Sequence, residues 1–113
     1  MNWLPLDTPA QLDELIKASS GKPQVIFKHS TRCGISSMAK NRLERAADLP
    51  EADYHFLDLI RYRELSNAIA ETFRVWHESP QLLVIKDGQC VSDTSHTGIS
   101  VSWLEETIDA LRA

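Results

Sequence analysis

The sequence predicts an α/β domain with a four-stranded mixed sheet and helices on both faces. Helical and strand-like stretches alternate along the chain. The strand candidates are short continuous apolar runs of the kind covered on both sides. Asp87-Gly88 marks a tight hairpin that turns the last two strands antiparallel. With 113 residues the expectation is one domain, 1–113, large enough to bury a core without disulfide or metal staples.

The first helix is announced by Thr8-Pro9-Ala10-Gln11, which offers an N-cap, a proline at the first helical position and a capping-box glutamine. Leu12, Leu15 and Ile16 follow at helical spacing, and Ser19 to Pro23 end the helix. Val25-Ile26-Phe27 reads as the first strand. Ile35, Met38, Ala39, Leu43 and Ala46 recur at three- and four-residue steps as one apolar stripe of a second helix, with Pro50 as its stop. Tyr54 to Leu59 reads as a strand, and Leu65, Ala68, Ile69 and Phe73 as a third helix. Leu82 to Ile85 and a strand opening at Cys90-Val91 flank the hairpin, and a last helix from about Ser100 carries Val101, Leu104, Ile108 and Leu111 inward. The order α-β-α-β-α-β-β-α makes the first two strands parallel neighbours through a helical crossover.

Composition narrows the function classes. The chain is 42% hydrophobic and 25% charged, with a formal net charge of −4, which suits a soluble protein and argues against nucleic acid or an anionic membrane as the main partner. The stretch Met1 to Asp7 lacks the basic and apolar regions of a signal peptide, and no apolar run reaches a membrane-spanning length. Two cysteines without an export signal point to a reducing, cytoplasmic setting rather than a disulfide framework.

Cys33 falls where the first strand gives way to the second helix, in Ser30-Thr31-Arg32-Cys33-Gly34-Ile35-Ser36. The first N–H groups of a helix lack internal partners and carry the positive end of its dipole, a setting that favours a thiolate. Arg32 adds a cation nearby in sequence, Gly34 leaves the sulfur uncrowded, and Ser36 offers a hydroxyl that could bond the thiolate. The plain alternatives are a small packed cysteine and serines that only cap a helix. Ser36 stands where a C-x-x-C pair would have its resolving thiol. The predicted topology places Cys90 beyond the far end of the third strand, roughly 20 Å away along it, outside the ~7 Å reach of a disulfide. The expected chemistry is therefore monothiol.

Ser79-Pro80 opens the third strand, where a proline is tolerated. The start of that strand faces the start of the Cys33 helix. A cis proline there would expose the Ser79 backbone beside the sulfur, for pairing with an extended substrate segment. His29 and His77 sit close enough in sequence to tune the thiol, though packed or surface roles serve them equally. No cysteine–histidine spacing suits zinc.

The whole chain resembles a thioredoxin-fold protein with an extra N-terminal helix. More narrowly it resembles the YtxJ-like monothiol bacilliredoxins, on Lys28 to Ser36, on Asp58-Leu59-Ile60-Arg61-Tyr62-Arg63-Glu64-Leu65-Ser66-Asn67, and on His77-Glu78-Ser79-Pro80-Gln81. The resemblance implies a thiol–disulfide oxidoreductase that removes bacillithiol, a low-molecular-weight thiol, from S-thiolated client proteins, and the chain is expected to be a monomer. Cys33 would be the nucleophile, Ser79 and Pro80 the cis-proline site, and bacillithiol a co-substrate, with no bound cofactor and no metal. Gly34 departs from the proline expected of such relatives. Cys33-Gly34-Ile35-Ser36 also resembles the C-G-F-S motif of monothiol glutaredoxins, which carry iron–sulfur clusters. The glycine pair and aspartate that those proteins use for glutathione have no counterpart in Asp93 to Gly98. A non-enzymatic interaction module with an inert cysteine is the third reading.

Overall fold

A computed structural model of the chain describes residues 1–112. The capping box forms as read: Gln11 N–H donates to Thr8 Oγ1 at 3.2 Å, while Thr8 N–H donates to Gln11 Oε1 at 3.1 Å. Two otherwise orphaned donors are thereby satisfied, and helix α1 runs Pro9–Ala18. Strand β2 follows at Gln24–His29, buried at every position. Then come α2 (Gly34–Glu44), β3 (Asp53–Asp58), α3 (Arg63–Phe73), β4 (Gln81–Lys86), β5 (Gln89–Ser95), a 3-10 turn at His96–Gly98 and α4 (Val101–Ala110).

The sheet has five strands rather than four. Leu4–Pro5 forms an additional strand, β1, paired parallel to β3 through Leu4 with His55 and Pro5 with Phe56. Two residues, one of them proline, carry none of the alternation or β-branched enrichment from which a strand is read. The strand order is β1-β3-β2-β4-β5, with β1, β3 and β2 mutually parallel, β4 antiparallel to β2, and β5 antiparallel to β4. The N-terminal helix is consequently not an addition to the fold. It is one of four helices and connects β1 to β2.

Side chains on β2 and β4 alternate between two cores. Ile26, Leu83 and Ile85 pack with Leu12, Leu15, Leu65 and Ile69 of α1 and α3. Val25, Phe27, Leu82 and Val84 pack with Ala39, Leu43, Leu104 and Ile108 of α2 and α4. Helix α2 corrects the predicted stripe. Its inward positions are Ser36, Ala39 and Leu43, whereas Ile35 and Met38 are 48% and 63% exposed. The hydroxyl of Ser36 has polar partners inside, so the helix rotates by about one residue from the purely apolar solution. It also ends before Pro50: Arg45 is its C-cap, and the chain reaches the proline through an irregular connection.

At the β4–β5 hairpin Asp87 and Gly88 both adopt left-handed backbone, φ 53° and 75°. This is the geometry that matches strand twist and favours an Asp-Gly pair. The parallel pairing of β2 with β3 and the antiparallel pairing with β4 bring three features to one end of the sheet. These are the starts of α2 and α3 and the beginning of β4, where Gln81 lies opposite Lys28.

Candidate active site

Cys33 is the N-cap of α2, with extended backbone (φ −113°, ψ 118°) and no bond from its side chain to the helix. Its carbonyl accepts the first helical hydrogen bond, from Ser37 N–H at 3.1 Å, and its own N–H donates to Ser30 O at 3.2 Å. The thiol is free and half-buried, so the sulfur stands at the helix N-terminus instead of capping it. Arg32 and Gly34 flank it, both exposed. A Cβ on Gly34 would meet nothing within 4 Å; glycine is not sterically required there, and the approach to the sulfur is open.

Ser36 is fully buried. Its Oγ accepts from Ser30 N–H at 3.1 Å and lies 2.7 Å from His29 Nδ1. The hydroxyl thus ties the first turn of α2 to the end of β2, and the loop carrying Cys33 is stretched between the two. His29 packs its ring against Phe27 and Phe56, at centroid distances of 5.7 and 5.2 Å.

On the facing side the Ser79–Pro80 bond is cis, and Pro80 O accepts from His96 N–H at 3.1 Å. The segment before it is clamped by Gln81, whose Nε2 donates to Trp76 O at 2.9 Å and whose Oε1 accepts from Glu78 N–H at 3.3 Å. Ser79 Oγ is buried and has no hydrogen-bond partner among the described residues. Trp76, four residues from Pro80, is 91% exposed.

Lys28, which the sequence marked only as part of the stretch resembling the family, is the unexpected member of this region. It is fully buried. Its Nζ donates to Ser66 O at 3.1 Å and lies 3.4 Å from His77 Nδ1, which is also 3.3 Å from Ser66 Oγ. Burial brings its pKa down to about 8. The signal that could have exposed it is a cation inside an otherwise closed strand, Val25 to His29, where exposure on either face is not available.

Comparison with known proteins gives this geometry its context. The family model for the monothiol bacilliredoxin BrxC matches residues 4–104. The chain belongs to that family. Among solved structures, a proposed oxidoreductase with a thioredoxin fold is similar at 30% identity and a TM-score of 0.78, covering 92% of this chain and 91% of that one. Thioredoxin from Fasciola hepatica is similar at 27% identity and TM-score 0.71, covering 94% and 96% of the two chains. Thioredoxin from Malassezia sympodialis shares the fold at 17% identity and TM-score 0.76, covering 99% and 92%. The bacilliredoxin is thus a thioredoxin-fold oxidoreductase. No helix among the described residues is long and apolar enough to cross a membrane.

The other thiol of the bacilliredoxin lies at the opposite end of the sheet. Cys90 pairs with Ile85, and Ile85 with Gln24 at the start of β2, whereas Cys33 lies beyond the end of that strand. Five strand steps separate Gln24 from His29, about 16 Å, well over the reach of a disulfide. Burial, with Asp93 adding to it, pushes the Cys90 thiol up to about 11.

Burial also sets the acid response of the bacilliredoxin. Desolvation holds His29, His55 and His77 below their ordinary 6.5, with Lys40 adding to the effect at His29 and Lys28 and Arg63 at His77. Above pH 6.5 these groups are neutral in both folded and unfolded chains and stability is flat with respect to them. Below it the unfolded chain takes up protons first, so stability falls as pH drops toward the folded values. Melting temperature should therefore decline between pH 7 and 5. Replacing His55, which donates from Nε2 to Gln24 Oε1 at 2.7 Å, by glutamine should shallow that decline. An unchanged slope in His55→Gln would remove His55 from the account.

Proposed function

We propose that this chain, working as a single domain, removes bacillithiol from mixed disulfides on client proteins, with Cys33 as the nucleophile. The observation that carries the reading is a free, half-buried thiol at the N-terminus of α2 with no second thiol within bridging distance. The Cys33 thiolate attacks the bacillithiol sulfur of the mixed disulfide. A new S–S bond joins Cys33 to bacillithiol, the old one breaks, and the client leaves as a thiolate that takes up a proton. A second bacillithiol thiolate then attacks the bacillithiol sulfur held on Cys33, giving bacillithiol disulfide and regenerating the enzyme.

Arg32 adds a cation next to Cys33 in sequence, and Gly34 leaves the approach to the sulfur open. Ser36 fixes the loop through Ser30 and His29. Ser79 and Pro80 form the facing edge, where the Ser79 backbone pairs with an extended segment of the incoming partner. Bacillithiol is a co-substrate and not a resident group. The partners are thiolated proteins and a small thiol in a reducing cytoplasm, and the working unit is a monomer.

Intact-mass analysis of the reduced chain mixed with a bacillithiolated client, and in parallel with a glutathionylated one, tests the choice of thiol. Faster appearance of the bacillithiol adduct supports the reading. Equal or faster glutathione transfer overturns the thiol assignment, and no adduct from either client overturns the reaction.

A further inference from the structure

The buried ammonium of Lys28 has no carboxylate partner among the described residues. Burying a cation is expensive, and an apolar side chain of similar volume would serve the core at least as well. What Lys28 contacts instead is the segment leading into Ser79-Pro80, through His77, and the backbone of α3, through Ser66. An ammonium can only donate, so Nδ1 of His77 is the acceptor and the ring proton of the neutral imidazole resides on Nε2. Gln81 clamps the same segment at Trp76 and Glu78. The Lys28 contact fixes the side chain between them.

We propose that Lys28 is a positioning residue for the exchange reaction: by holding His77 Nδ1 and the α3 backbone together, it sets the segment that carries Ser79 and Pro80 against an incoming disulfide. This rests on exchange at Cys33. It differs from thiol activation in a measurable way. A residue that acts on the sulfur alters its reaction with every electrophile, whereas one that positions the facing segment alters only reactions in which a partner must dock there. Loss of one hydrogen bond to a charged group is expected to slow docking-dependent exchange about tenfold, ~1.4 kcal/mol of transition-state stabilisation.

The test compares the wild-type chain with Lys28→Met, His77→Phe and His77→Asn. Three readings are taken: transfer from a bacillithiolated client, alkylation of Cys33 by iodoacetamide, and melting temperature. The expected result is that Lys28→Met and His77→Phe transfer about tenfold more slowly while alkylation stays within about twofold. Lys28→Met should melt no lower than wild type. His77→Asn, whose amide oxygen can accept where Nδ1 did, should transfer several-fold faster than His77→Phe. Nitrogen NMR of the wild-type ring should show His77 protonated on Nε2. The proposal is overturned if Lys28→Met transfers as fast as wild type, if alkylation falls in step with transfer, or if His77 carries its proton on Nδ1. A wild-type chain that transfers nothing defeats the exchange reading itself, and the positioning role with it.

Discussion

Cys33→Ala is expected to abolish transfer from a thiolated client, with no adduct detectable by intact mass, while Cys90→Ala transfers at the wild-type rate. The difference follows from geometry and ionisation together. Cys33 stands at a helix N-terminus with open approach past Gly34. Cys90 donates its S–H to Ser92 O at 3.3 Å. Burial pushes the Cys90 thiol up to about 11, so it stays protonated at pH 7, and the thiolate is the nucleophile. Alkylation at neutral pH should label Cys33 and spare Cys90 for the same reason. Loss of transfer in Cys90→Ala, or survival of transfer in Cys33→Ala, would show that the second cysteine takes part and that the chemistry is not monothiol at Cys33.

Phe27→Ala is expected to give the largest loss of stability. Phe27 is fully buried on a central strand paired on both sides. It stacks on Trp3 at 5.5 Å and meets Phe56 edge-on at 6.3 Å. Truncating a core phenylalanine removes its transfer free energy and leaves a cavity, ~3–5 kcal/mol, out of about 5–15 for a typical domain. At this size the melting temperature should fall on the order of 15 °C. Trp76→Ala is the control: the side chain is 91% exposed, and its removal should shift stability by no more than about 0.5 kcal/mol. A Phe27→Ala loss as small as that of Trp76→Ala would mean that the core closes over the gap.

Local chemistry was the most readable part of the sequence. The capping box at Thr8 and the Asp-Gly hairpin each involve residues within a few positions of one another, and both form in the structure. The parallel and antiparallel strand pairings followed from connection length. Strand β1 was hidden because its existence depends on β3, 51 residues away, and not on its own composition. Helix α2 was misread because periodicity counts apolar residues alone, while Ser36 is buried with its hydroxyl paired to groups from β2 and Ile35 is left outside. At the site, Cys33, Ser79 and Pro80 stood out by position. The Lys28–Ser66–His77 contact joins three elements that no spacing rule connects, so it emerged only in three dimensions.

The two margins of the sheet carry a further consequence. On one side the outermost strand is two residues long and includes Pro5, which has no N–H to offer. On the other, β5 carries a register irregularity opposite Val84 and Ile85, and Asp93 is exposed along it. Short, proline-bearing, bulged and charged borders are poor templates for the strand-by-strand accretion that builds cross-β fibres. Strand β2, buried throughout, and β4, buried from Gln81 to Ile85, whose apolar runs would be the hazardous ones if bared, lie inside those borders. Resistance to fibrillation is therefore built into the order of the strands.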